Sequence, residues 1–197
     1  MKSINDIIVK SAKEHQEVLE VFLKDNISKI EQLCELIVNN ISIGGKILLI
    51  GNGGSAADAE HIAAEFVGRF KKKRKGFTAY ALTSSGALLT ALGNDFNFDN
   101  IFKRQINALA RNNDLLLAFT SSGKSTNIIK GLESGKQIGC ITIGFCGQNS
   151  SSVEEFCDVL IKIPSSNTQR IQETYMFICH VIIDLVESVF LSSDNED

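Results

Sequence analysis

Between Ile4 and Ile41 the apolar residues recur at helical spacing. Ile4, Ile8, Val18, Leu19, Phe22, Leu23, Ile30, Leu33 and Ile37 predict an amphipathic helical opening. Ser28-x-x-Glu31, just after Asp25-Asn26, has the pattern of a capping box, so two helices or one kinked helix are expected there. After Gly44-Gly45 the period changes. Lys46–Ile50 is a short apolar run bounded by glycine, the pattern of a strand covered on both faces, and similar runs occur at Thr78–Leu82, Leu115–Phe119, Cys140–Phe145 and Val159–Ile163. Helical patterns at Ala56–Phe70, Asn100–Ala110 and Ser125–Glu133 alternate with them. This order predicts an α/β sandwich with a five-stranded parallel sheet, preceded by N-terminal helices. The last segment, Thr168–Leu191, follows a second capping pattern at Ser166-x-x-Gln169 and is apolar nearly all round from Met176 to Phe190. Such a helix requires burial, with a partner subunit as one expected cover.

Composition narrows the classes. The 197 residues are 44% hydrophobic with a single proline and no Pro/Ser/Gly-rich linker, so one domain, 1–197, is expected: a helical segment 1–43, an α/β core 44–191 and an acidic tail 192–197. Twenty basic against 23 acidic residues give a net charge of -3 without a recurring basic stripe, which argues against nucleic acid as a partner. Lys71–Lys75 is a local basic run and reads as a solvated loop. Met1-Lys2-Ser3 leads into no apolar signal core, and no run approaches the roughly 18 uninterrupted apolar residues of a membrane span. Cys34, Cys140, Cys146, Cys157 and Cys179 lack C-x-x-C spacing and read as small core residues of a reducing, cytoplasmic setting.

Four places carry candidate chemistry. Gly51-Asn52-Gly53-Gly54-Ser55 follows a strand and opens a helix, where backbone N–H groups favour an anion. It also matches G-x-G-x-x-A, but the second strand, Tyr80–Ser84, offers only hydroxyls where a dinucleotide site needs an acid. Thr120-Ser121-Ser122-Gly123-Lys124-Ser125 likewise joins a strand to a helix. Ala118 stands where a Walker loop needs glycine, which leaves four hydroxyls as a cradle for one phosphate monoester or, equally, as caps of a βα turn. His61-x-x-x-Glu65 sets imidazole and carboxylate one turn apart, among Ala63, Ala64, Phe66 and Val67, a partly apolar setting suited to a general base. Gln172, Glu173 and His180 share roughly one side of the last helix, where a histidine satisfied by a carbonyl is the plain alternative. Asn94-Asp95 reads locally as a turn.

Taken in order, Gly51-Asn-Gly-Gly-Ser-Ala-x-Asp-Ala-x-His61-x-x-x-Glu65, Gly93-Asn-Asp-Phe96, Thr120-Ser-Ser-Gly-x-Ser125 and Arg170-Ile-Gln-Glu173 with His180 closely resemble the phosphoheptose isomerases, single-domain members of the sugar-isomerase (SIS) family. The resemblance covers nearly the whole chain. It implies a three-layer, flavodoxin-like sandwich, a homotetramer with active sites between subunits, and conversion of D-sedoheptulose 7-phosphate to D-glycero-D-manno-heptose 7-phosphate for ADP- or GDP-heptose in lipopolysaccharide or capsule. It further implies that Thr120, Ser121, Ser122, Ser125 and Ser55 hold the phosphate and that Asn52, Gly53, Gly54, Asn94, Asp95 and Gln172 bind the sugar. By the same resemblance zinc sits on His61, Glu65, Gln172 and His180, with Glu65 as substrate-contacting base and His180 as acid. An isomerase of this kind needs no nucleotide cofactor. Gln169 and Tyr175 depart from residues common in the family, as Lys124 does in the phosphate loop. A related SIS tetramer binds a replication initiator without catalysis; as its discriminating feature is loss of the counterparts of Glu65 and His180, both present here, the enzyme reading leads.

Overall fold

The computed structural model describes residues 3–193. Five strands, β1 (Ile47–Gly51), β2 (Ala79–Ala81), β3 (Leu115–Thr120), β4 (Ile141–Gly147) and β5 (Val159–Ile163), form one parallel sheet in the order β2-β1-β3-β4-β5. Alternate residues feed two cores. Ile47 and Leu49 of β1 join Leu115, Leu117 and Phe119 of β3 on one face, whereas Leu48, Ile50, Leu116 and Ala118 point to the other. Both faces are covered, which is why the strands read as unbroken apolar runs.

The first face is covered by α1 (Ile4–Ser42), α2 (Gly54–Val67) and α6 (Thr168–Ser193). The second is covered by α4 (Ile101–Leu109) and α5 (Thr126–Ile138), with α3 (Gly86–Phe96) at its margin. The result is the expected three-layer sandwich.

Several expectations need correction. The opening helix is continuous through Ser28, because Phe22, Ile30, Leu33 and Ile37 form one buried stripe and the Asn26 amide donates to the Phe22 carbonyl inside the helix. Its real capping box is Ser3 with Asp6. The start of α6 is capped by Asn167, whose Oδ1 accepts from the Gln169 N–H at 3.0 Å, so Ser166 does not serve as the cap. Asn94 and Asp95 lie in a helix: α3 is capped by Ser85, whose hydroxyl accepts from the Leu88 N–H. Gly86, Gly93 and the lack of any fully buried residue in α3 hid it from pattern reading.

Helix α6 is long and apolar enough to cross a membrane by length and composition. Here it is a core helix, with Ile171, Tyr175, Ile178, Ile182 and Val186 buried against the sheet and α1. It continues to Ser193, past the expected start of the tail at Ser192; Asp194–Asp197 lie outside the described residues.

The basic run is also not a simple solvated loop. Arg74 is inside, its side chain 4% exposed and paired with the buried Glu187 of α6 at 3.0 Å. Glu187 also accepts from the backbone N–H groups of Phe70, Lys71 and Lys72. The remaining Arg74 N–H groups reach the carbonyls of Glu65 and Phe66 at the end of α2. Burial alone would raise the Glu187 pKa, but three backbone donors and Arg74 outweigh it and hold the carboxyl below its usual range.

Candidate active site

Strand order reverses between β1 and β3: the chain leaves β1 toward β2 on one side and leaves β3 toward β4 on the other. Ligands of open parallel sheets bind at such a switch point, beyond the carboxyl ends of the strands. Both glycine- and serine-rich loops are there, the first entering α2 and the second entering α5 on the opposite face of the sheet. Asn52 and Asn127 join them side chain to side chain, each amide nitrogen donating to the other's oxygen at 2.8 Å.

In the second loop Gly123 adopts φ +63° and leaves no room for a Cβ beside Ser150, so only glycine is unstrained there. Thr120 is buried and its hydroxyl accepts from the Gly123 N–H at 3.2 Å. The Ser122 hydroxyl accepts from Lys124 N–H, and the Lys124 side chain is exposed. Ser125 occupies the N-cap position of α5 yet makes no side-chain cap bond. Its hydroxyl is not spent on capping, which favours the cradle over the cap.

The first loop begins α2 at Gly53, with φ +58° and no side-chain cap. Next to it Ser55 is buried, its Oγ 3.0 Å from the Tyr175 hydroxyl. The Tyr175 ring is fully buried, and its hydroxyl donates to Asp58 Oδ2 at 2.5 Å. Gln172 Nε2 donates to the same oxygen at 3.2 Å.

Further along the same two helices, His61 Nε2 faces Glu65 Oε1 at 3.4 Å, and the His61 and His180 rings have centroids 5.3 Å apart. Phe70 stacks on His180 at 5.5 Å. Burial first, then His61, lowers the His180 pKa against the opposing pull of Glu65, so the imidazole is biased to its neutral form, able to give and to take a proton. The Glu65 side chain is 26% exposed; of its apolar neighbours Ala63 and Phe66 are buried while Ala64 and Val67 are exposed.

His61, Glu65 and His180 thus come together. Gln172 stands two turns before His180, about 12 Å along the axis. Asn94 and Asp95 are exposed and bonded to each other at 2.9 Å, on a helix that packs against α4 and the 3-10 turn Phe98–Asn100. Within one chain they do not join the α2/α6 group. Gln169 is exposed. Sequence reasoning missed Asp58, Asn127 and Arg74. The first two had faint signals: Asp58 is on the His61 side of α2 at i−3, and Asn127 follows the phosphate loop directly.

The SIS domain family model matches residues 12–147. The chain is 45% identical to the phosphoheptose isomerase of Geotalea daltonii over 88% of its own length and 90% of the relative's. It is 41% identical to that of Aliarcobacter butzleri, over 92% and 96%. The chain belongs to the phosphoheptose isomerase family. Among solved members of this family, a phosphoheptose isomerase of Neisseria gonorrhoeae superposes with TM-score 0.89 at 32% identity, covering 94% of this chain and all of that one. One from Francisella tularensis gives 0.91 at 28%, covering 95% and 100%. Family membership makes the chain a sugar-phosphate isomerase.

Proposed function

We propose that this chain interconverts D-sedoheptulose 7-phosphate and D-glycero-D-manno-heptose 7-phosphate in the cytoplasm, as the first step toward ADP- or GDP-heptose for lipopolysaccharide or capsule. The observation that carries the reading is the meeting of Glu65, His61 and a neutral-biased His180 beside two loops that face the switch point. Thr120, Ser121, Ser122 and Ser125 receive the phosphate, and Asn52, Gly53, Gly54 and Gln172 line the sugar. Asn94 and Asp95 join from a neighbouring subunit of a homotetramer. Exposed apolar residues on α1 (Ile4, Ile7, Ile8) and α6 (Phe177, Leu185, Val189) support that assembly.

The Glu65 carboxylate removes a proton from C1 of the ketose, giving an enediol, and returns it to C2. His180 donates to the C2 oxygen and takes the proton of the C1 hydroxyl. Proton count and oxidation level balance within the substrate, so no redox cofactor is consumed.

Zinc fits the donor chemistry of His61, Glu65 and His180, with the Gln172 carbonyl oxygen as a fourth donor. Among the described residues no three His, Cys, Asp or Glu side chains already form a metal-holding group, so binding requires side-chain rotation. When bound, zinc supplies Lewis-acid polarisation of the carbonyl. Coordination of Glu65 also lowers its basicity, so the metal competes with the base.

The test is turnover of sedoheptulose 7-phosphate by metal-stripped enzyme with and without zinc, followed as aldoheptose 7-phosphate. Glu65→Gln and His180→Gln are expected to lose about 10²–10⁴-fold in kcat. Absence of turnover in both arms sinks the isomerase reading and turns attention to replication-initiator binding.

A further inference from the structure

The turn that ends β4 carries no motif, yet the serine-rich loop after β3 rests on it. The Ser150 N–H closes this turn on the Gly147 carbonyl at 3.3 Å, and the Gln148 N–H ties it to the Ser165 carbonyl ahead of α6 at 3.2 Å. From that base two donors reach one acceptor in the loop. The Gly147 N–H donates to the Ser121 carbonyl at 3.1 Å, and the Ser150 hydroxyl donates to the same oxygen at 3.4 Å. Ser150 is 2% exposed, and its side chain fills the space beside Gly123, where an added Cβ would stand 2.3 Å from Ser150 Cβ.

Peptide planarity carries these contacts across the loop. In a trans peptide the C=O and N–H point in opposite directions, so a Ser121 carbonyl held toward β4 turns the Ser122 N–H away from it. β4 pairs with one side of β3 and β1 with the other. The Ser122 N–H is thereby aimed at the crevice between β1 and β3, and it meets no acceptor among the described residues.

We propose that Ser150 is a positioning residue of the phosphate site: with the Gly147 N–H it holds the Ser121 carbonyl toward β4, and so presents the Ser122 N–H to an anion in the crevice. A sugar phosphate as the occupant rests on the isomerase reading; the direction of the peptide does not. Ser150 itself touches no substrate. Its side chain acts from behind the loop, as a hydroxyl on Ser121 and as a stop beneath Gly123.

The experiment uses the full-length enzyme with two readouts: kcat and KM for sedoheptulose 7-phosphate, and the Kd of inorganic phosphate alone by phosphorus NMR titration. Ser150→Ala is expected to raise both KM and the phosphate Kd about threefold or more, the effect of one hydrogen bond between uncharged groups. Its kcat should stay within about twofold of the parent, because the phosphate is bound alike in ground and transition states. Ser150→Val also crowds Gly123 and is expected to raise both constants about tenfold or more. Ser152→Ala, exposed in the same segment, is the control and should match the parent. A merely structural serine lowers the melting temperature and leaves both constants of the folded protein unchanged. That result overturns the proposal, as does a phosphate Kd raised less than about threefold in Ser150→Ala, or an equal loss in Ser152→Ala. Should Ser150→Val fail to fold, Ser150→Ala still decides. If the parent binds phosphate without turning over the sugar phosphate, the isomerase reading fails alone and the phosphate Kd carries the test. A parent that binds no phosphate overturns the proposal itself.

Discussion

The α2/α6 pair is tied at both ends by buried polar groups, and the two ties differ in what they hold. At the N-terminal end Asp58 and Tyr175 hold side chains of the candidate site, Gln172 and Ser55. At the other end Arg74 and Glu187 grip backbone only: the N–H groups of Phe70, Lys71 and Lys72 and the carbonyls that finish α2. The half-buried first tie and the fully buried second therefore serve unequal purposes. The first tie is expected to govern catalysis and the second stability.

The largest expected effect breaks the second tie. Arg74→Ala leaves a buried carboxylate without its cation and should cost about 3–5 kcal/mol in urea unfolding, while the protein that remains folded keeps its KM. Acid sharpens the same point. Because the folded Glu187 pKa is depressed, its stabilisation is complete above the unfolded value and is lost as pH falls through the folded one. Unfolding midpoints should therefore drop on the acid side, and less steeply in Glu187→Gln than in the parent.

Next comes the bridge between the loops. Asn127→Ala leaves Asn52 unpaired and should cost about 1–3 kcal/mol, with a rise in KM that Arg74→Ala does not show. Ser125→Ala is smaller and cleaner. Since Ser125 makes no cap bond, its loss should raise KM by about tenfold or more, the worth of one hydrogen bond to a charged group, and leave the melting temperature unchanged. The smallest is Lys71→Ala, which removes an exposed pair with Asp184 and should change stability by less than about 1 kcal/mol.

The sheet was legible because its central strands β1, β3 and β4 are buried on both faces, which leaves short apolar runs between turn residues. The site was legible only where residue type announces chemistry, as at His61, Glu65, His180 and the serine-rich loop. Asp58 was not, because its partner Tyr175 comes from a helix far along the chain and an aspartate on a helix surface carries no local sign of burial. Arg74 was hidden by its neighbours: four lysines beside it read as solvent-facing, and nothing local shows that Glu187 draws the backbone inward. The uninterrupted first helix was misread for a related reason, since a local capping pattern lost to a stripe of core contacts that runs through it.

Two helix starts, α2 and α5, face the switch point in a protein whose net charge is -3, and apart from Lys124 the phosphate loop holds no basic side chain. On the proposed reading, a doubly charged substrate is met by neutral peptide groups fixed in place, with Lys124 as the one basic side chain of the loop. Attraction at contact distance from oriented amides is screened far less than attraction between exposed charges. Substrate capture by this enzyme should accordingly change little between dilute buffer and physiological ionic strength, and the protein can remain acidic overall without repelling the anion it works on.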